Sequence, residues 1–216
     1  MTLEELEARL KVLEDKNRRL EDVEEIKKLQ RIYGYYVERG QLDECAELFS
    51  DSPEVSFGPS YNVTVGKDNV RKEFSSERPY GVFQGPKPDD YLHITMPVSG
   101  VVDLDADGKT AKARWYALMY LCNATPSGGA AIGVGMYENE YVKEDGKWRI
   151  LHLQFDDIFL SPYEEGWAKS PKIWGKLEEM ADSVGLQPGD VPAPPSSRSP
   201  FGEQMPFHYK HPITGK

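Results

Sequence analysis

The chain has 216 residues and a formal net charge of -10 at pH 7. That length holds one domain with appendages and buries a real core. The acidic balance argues against nucleic acid or an anionic membrane as partner, since both need clustered Lys and Arg, and leaves a small neutral or aromatic molecule as the expected ligand. No run approaches the ~20 apolar residues that span a bilayer, and Thr2-Leu3-Glu4-Glu5 opens no basic-then-apolar signal region, so a cytoplasmic protein is expected. Cys45 and Cys122 read as separate reduced thiols.

From Thr2 to Asp22 the sequence predicts a charged helix with Leu3, Leu6, Leu10, Leu13 and Leu20 spaced three and four apart. With Leu3 at heptad position a, Leu10 and Asn17 also fall at a, and Leu6, Leu13 and Leu20 at d. Arg9 and Lys16 occupy g, and Glu14 and Glu21 the following e positions, the charge pattern of a short parallel two-stranded coiled coil. The alternative is an amphipathic helix lying on the domain. A homo-oligomer, dimer or trimer, is therefore expected.

The apolar stripe shifts frame at Val23 and continues through Ile26, Leu29, Ile32, Tyr33, Tyr36 and Val37 to a helix end at Gly40. A short helix at about Leu42 to Phe49, a strand near Glu54 to Gly58 and a third helix from Gly66-Lys67-Asp68, with Asp68 as N-cap, follow. Glu77 to Asp90 is a Pro/Gly loop. A strand covers Tyr91 to Pro97 and Val98 to Asp103, and three long alternating strands follow at 111–123, 130–143 and 148–159. Asp145-Gly146 predicts a hairpin between the last two. The sheet face carrying Arg114, Tyr116 and Tyr120 mixes aromatic and polar groups and suggests a pocket. Residues 1–22 read as a coiled-coil-like helix and 23–167 as an α+β domain. Residues 168–216 read as a helix near Lys172 to Ser183 followed by an arm. Seven of the sixteen prolines fall between Pro188 and Pro212, so the arm cannot build its own core, and its aromatic ending should pack on the domain.

The order of elements, with the segments IKKLQRIYGYYVERGQLDECAELF, YLHITMPVSG, ARWYALMYL, GMYENEYVKEDGKWRI and PYEEGW, resembles the SnoaL-like branch of the nuclear-transport-factor-2-like superfamily over roughly Val23 to Trp167. The resemblance implies a cone-shaped, curved antiparallel sheet wrapped around about three helices. It also implies dehydratase, isomerase, cyclase or binding activity. The bile-acid 7α-dehydratase branch is similar through the first helix and the RWY strand, which places a tyrosine at Tyr33, an acidic residue at Glu38 and a histidine at His93; a late-strand arginine has no counterpart, since Asp156, Asp157 and Ile158 stand there. The PFHY ending resembles bacterial lyases that remove formaldehyde from lignin-derived diarylpropane diols without a cofactor.

From the residues themselves, His93 in mid-strand can serve as a general base near neutral pH, with His152 as partner or second acid/base group. Tyr33 and Tyr36 share a helix face and can present phenols to the cone interior. Arg78, in the Pro/Gly loop, can stabilise an oxyanion. Tyr61, Tyr116, Tyr120, Asn139 and Asp156 are the further candidates for substrate binding. GGAAIGVG precedes an alternating strand, so it forms no phosphate-binding helix start, and His208 with His211 lacks a joining cluster, so no metal is expected. The reading that results is a lyase for a small aromatic compound, with no cofactor. An isomerase or cyclase in the same pocket, or a ligand-binding or assembly domain, is the alternative.

Overall fold

A computed structural model describes residues 1–59, 63–75, 87–124, 128–170 and 205–216. Helix α1 (Leu3–Arg39) is a single rod of 37 residues, about 55 Å long at ~1.5 Å per residue. Thr2 and Glu5 form a capping box at its start, and Gly40, at φ 67°, ends it. The Gln41 N–H donates to Tyr36 O at 2.9 Å and the Gly40 N–H to Val37 O at 3.1 Å, which satisfies carbonyls of the last turn. The rod continues unbroken through the frame shift at Val23. Only beyond Leu20 do its residues enter the core: Asp22, Ile26, Leu29, Gln30, Tyr33 and Gly34 are its buried positions.

Helix α2 (Leu42–Glu47), strand β1 (Ser56–Gly58), strand β2 (Thr64–Val65) and helix α3 (Lys67–Glu73) come next. Helix α3 is preceded by Gly66 at φ 91°, and Asp68 lies inside its first turn rather than capping it. The two-residue β2 escapes period-two analysis because it is too short to alternate. Strands β3 (Leu92–Leu104), β4 (Thr110–Cys122), β5 (Ala130–Glu144) and β6 (Lys147–Pro162) are the long elements, and helix α4 (Gly166–Lys169) closes the continuous part.

The sheet order is β2-β1-β6-β5-β4-β3. All neighbours are antiparallel except β1 on β6. Asp145 and Gly146, at φ 48° and 76°, make the β5–β6 hairpin turn that the Asp-Gly pair predicts. The α+β class and the curved sheet around helices stand as expected; the sheet is open rather than closed into a barrel. Helix α1 lies across β3 and also reaches β6, so it fills the concave side. The core there joins Ile26, Leu29 and Tyr33 to Phe49, Val70, Phe74, Trp115, Tyr137, Tyr141 and Ile150.

Curvature is set where β3 bulges between Val98 and Val101. Ser99 takes φ 53° there, and a Cβ on Gly100 would stand 1.9 Å from Trp115 Cζ3. Bulges bend strands, and this one lets the Trp115 ring lie over bare backbone. Gly100→Ala should therefore cost roughly 1–3 kcal/mol, the usual penalty for overpacking, read as a lower midpoint in chemical denaturation.

Candidate active site on the concave face

Register decides which side chains face α1. Cross-strand rows of the inner face run Trp115, Tyr137, Phe155; then Pro97, Ala117, Gly135, Asp157; then Thr95, Met119, Gly133, Leu160; then His93, Leu121, Ala131, Pro162. Rows lie about 7 Å apart along the strands. The middle strands contribute mostly small residues, Ala117, Ala131, Gly133 and Gly135, so the floor is low between two walls. His93, Thr95 and Pro97 form the β3 wall, and Phe155, Asp157 and Leu160 the β6 wall. A Cβ on Gly135 would stand 2.1 Å from Phe155 Cζ, so the Phe155 ring lies flat across the floor.

His93 is on this inner face, as the sequence predicts. Its Nδ1 is 3.4 Å from Tyr91 Oη. Burial, and then the nearby Lys87 ammonium, push its pKa down to about 4, so the imidazole is neutral at pH 7. Burial likewise pushes the Tyr91 phenol up to about 12. Lys87 donates to Val37 O at 3.3 Å and to Glu38 O, tying the last turn of α1 to the segment that leads into β3. Its ammonium also lies 4.9 Å from the centre of the Tyr91 ring. Burial lowers the pKa of Lys87 itself. Glu38, the acidic position implied by resemblance, contributes its backbone carbonyl here.

Tyr33 is one residue from Gly34, whose Cα side is packed against the Thr95 carbonyl, two residues along β3 from His93. The Tyr33 ring meets Phe49, Phe74 and Tyr137 edge-on, with centroids 6.2, 6.3 and 6.5 Å away. Tyr36 packs against the same core. Tyr137, which period-two analysis marks only as a strand residue, is the second phenol of the interior. Burial first, and then Tyr141 and the Asp157 carboxylate, hold its pKa well above the usual phenol range. Tyr91, Tyr137, Asp157 and Lys87 are thus the interior groups that sequence reasoning missed.

Four expected site residues lie on the other face. Tyr116 and Tyr120 point away from the helices and are 43% and 42% exposed. They alternate with the inward Trp115, Ala117 and Met119, so the mixed aromatic and polar face is the convex one. His152 and Asp156 are displaced by a bulge at Leu151, since Tyr141 pairs with Ile150 but Glu140 with His152. Each residue after the bulge changes side: Leu153, Phe155 and Asp157 turn inward, and His152, Gln154 and Asp156 outward. His152 Nδ1 is 2.9 Å from Ser56 Oγ on that outer side, so it is no partner of His93.

Asn139 faces inward but belongs to a buried polar network, in which Gln30 Nε2 has no hydrogen-bond partner among the described residues. Its Nδ2 donates to Gln30 Oε1 at 2.9 Å and to Tyr141 Oη at 3.2 Å, its Oδ1 accepts from the Gln154 N–H, and Tyr141 Oη donates to Gln30 Oε1 at 2.7 Å. These bonds satisfy buried groups that join α1 to β5, so Asn139 is structural. Arg78 and Tyr61 lie outside the described residues, as does the helix expected near Lys172 to Ser183.

The described end of the arm docks on the convex face. Arg114, 7% exposed, donates to Glu138 and to the carbonyls of Met205 and Pro206, and the Phe207 ring stacks 4.4 Å from its guanidinium. His208 sits between Glu138 and Asp103. The aromatic ending therefore packs on its own domain, on the side opposite the interior. Among the described residues no cluster of His, Cys, Asp and Glu could hold a metal, and no helix is long and apolar enough to cross a membrane.

No curated protein matches the chain. Among solved structures, a candidate scytalone dehydratase from Novosphingobium aromaticivorans is 17% identical, with a TM-score of 0.55 over 73% of this chain and 97% of that one. A candidate aromatic ring hydroxylase from the same organism is 19% identical, with a TM-score of 0.52 over 66% and 93%. A protein of unknown function from Mycobacterium tuberculosis is 18% identical, with a TM-score of 0.50 over 65% and 74%. At such identities the likeness speaks for the fold alone. The family model of the SnoaL-like domain matches residues 18–154, more than half of the chain, and with it the protein belongs to the SnoaL-like family of the nuclear-transport-factor-2-like superfamily.

Proposed function

We propose that the protein is a lyase that acts on a small aromatic compound by acid/base elimination on the concave face. The observation that carries this reading is His93: an imidazole kept neutral at pH 7, beside the Tyr91 hydroxyl and near the Lys87 ammonium, on an inner face that also holds the Tyr137 phenol and the Asp157 carboxylate. A neutral imidazole accepts a proton, and a phenol with a raised pKa stays protonated and donates one. The aromatic walls suit a planar ligand.

A diarylpropane diol loses formaldehyde and water in one connected step. His93 takes the proton of the terminal hydroxyl, the adjacent C–C bond breaks, and formaldehyde leaves. The freed electron pair forms the new C=C bond and expels the benzylic hydroxyl, which takes a proton from Tyr33 or Tyr91 and departs as water. The imidazolium then returns its proton to the phenolate. A simpler dehydration uses the same pair with the proton taken from carbon, and the fold neighbour named as a scytalone dehydratase lends that version support.

The test incubates the purified protein with a diarylpropane diol and follows stilbene absorbance and formaldehyde together. Equal amounts of both are expected. Formation of neither overturns deformylation; loss of water alone from a hydroxylated aromatic leaves a dehydratase, and saturable binding without turnover would make the interior a ligand-binding site.

A further inference from the structure

Helix α1 serves two different surroundings. Beyond Leu20 its apolar positions enter the domain, but before Asp22 no residue of the helix is buried. Leu3, Leu6, Leu10, Leu13 and Leu20 line one stripe and are between 48% and 72% exposed. The root of this stalk is fastened: Arg19 donates to the carbonyls of Leu104 and Asp105 at 3.1 and 3.2 Å, and Asp22 accepts from Lys143 and Trp148. Among the described residues, everything before it projects alone, for about 25 Å. An isolated helix of that length is marginal in water, and an exposed row of leucines makes it more costly still.

We infer that the occupant of this stripe is the same segment of a second copy, in a parallel, in-register, two-stranded coiled coil. Charge selects the orientation. In the parallel arrangement Arg9 faces the partner's Glu14 and Lys16 the partner's Glu21, across both sides of the seam. The antiparallel arrangement sets Arg9 and Lys16 against each other and Glu7, Glu14 and Glu21 against one another, so it is repelled at every flanking position. Asn17, at an a position, pairs best with itself, which needs equal register and two strands. The seam ends where the domain begins, because the next a and d positions are Glu24 and Lys27, an ion pair on the surface of the same helix.

Two features separate this interface from others. It uses no residue of the concave face, and it leaves the convex face of β3 and β4, with Leu92, Met96, Val101, Tyr116 and Tyr120 exposed, free for a different contact. Equilibrium sedimentation of the full chain should give twice 24.5 kDa, falling toward 24.5 kDa on dilution. The Leu6→Glu/Leu13→Glu protein should be monomeric throughout, with the denaturation midpoint of the wild type diluted to monomer, since both leucines face water in the single chain. Arg9→Glu/Lys16→Glu and Glu14→Lys/Glu21→Lys proteins should each be weakened and should pair when mixed. Oxidised Leu3→Cys protein, in a Cys122→Ser background, should form a disulfide dimer, because parallel packing brings the two positions together. A wild-type monomer or trimer, an oligomer that survives Leu6→Glu/Leu13→Glu, or failure of that disulfide overturns the inference; survival of the oligomer would move the interface to the convex face.

Discussion

Between pH 7 and pH 4 the wild-type protein should lose about 3 kcal/mol of stability that a His93→Gln variant does not lose. The unfolded imidazole has a pKa near 6.5 and the folded one about 4. Between these values the unfolded chain binds a proton that the folded chain refuses, so stability falls as pH drops through the window and levels off below it; two and a half pKa units correspond to about 3 kcal/mol. Denaturation midpoints of both proteins, measured across the window, give the difference in slope. Parallel slopes would show that His93 is ordinarily solvated. The same variant should lower kcat/KM on any substrate the enzyme turns over by roughly 10²–10⁴, the usual contribution of a general base. In the wild type the acid limb of that profile should lie near pH 4 rather than 6.5, since the base remains neutral until then.

Asp22→Ala should destabilise the protein by about 3 kcal/mol. The carboxylate is 2% exposed, accepts from Trp148 Nε1 at 2.8 Å and pairs with the Lys143 ammonium. Truncation leaves an indole N–H and a largely covered ammonium without their acceptor. Burial by itself would raise the pKa of Asp22, but the hydrogen bonds from Lys143 and Trp148 outweigh it and hold the carboxyl below its ordinary value. Its stabilisation is therefore complete above the unfolded value near 4 and disappears as pH falls through the folded one, a window below that of His93. Asp22→Asn, which keeps an acceptor for Trp148 but not the charge, should fall between the wild type and Asp22→Ala in urea denaturation. Equal stability of all three would show that the contact contributes nothing.

These two residues also mark the boundary between what local sequence pattern reveals and what it conceals. His93 was legible because nothing between Leu92 and Pro97 interrupts the alternation. The long helix, the order of the strands and the Asp-Gly hairpin were legible for the same reason: local periodicity and turn chemistry agree there with the final packing. Asp22 was not, because an acidic residue in a charged helix carries no mark of the tryptophan and lysine more than a hundred residues later. Strand β6 shows a different obstacle. An extra residue at Leu151 and another at Ile158 each reverse which side the following residues face, and alternation read without them places His152 and Asp156 inside and Phe155 and Asp157 outside. In β4 the parity was sound, but the choice of inner face was not: small Ala113 and Ala117 line the inner side and share one core with Ile26, Leu29 and Tyr33 of α1, while Arg114, Tyr116 and Tyr120 have the size and polarity expected of a pocket yet belong to the convex side.

The placement of β3 has a consequence for solubility. It is an edge of the sheet and thirteen residues long, so the backbone groups that α1 and Arg19 do not cover could template pairing with another chain. Pro97 removes one donor from that edge, and the irregular pairing between Val98 and Val101 interrupts the straight run that a docking strand would have to match. The opposite edge, β2, is only two residues long. The kink that seats Trp115 thus also protects the molecule from edge-to-edge aggregation, and the same few residues shape the interior and keep the sheet finite.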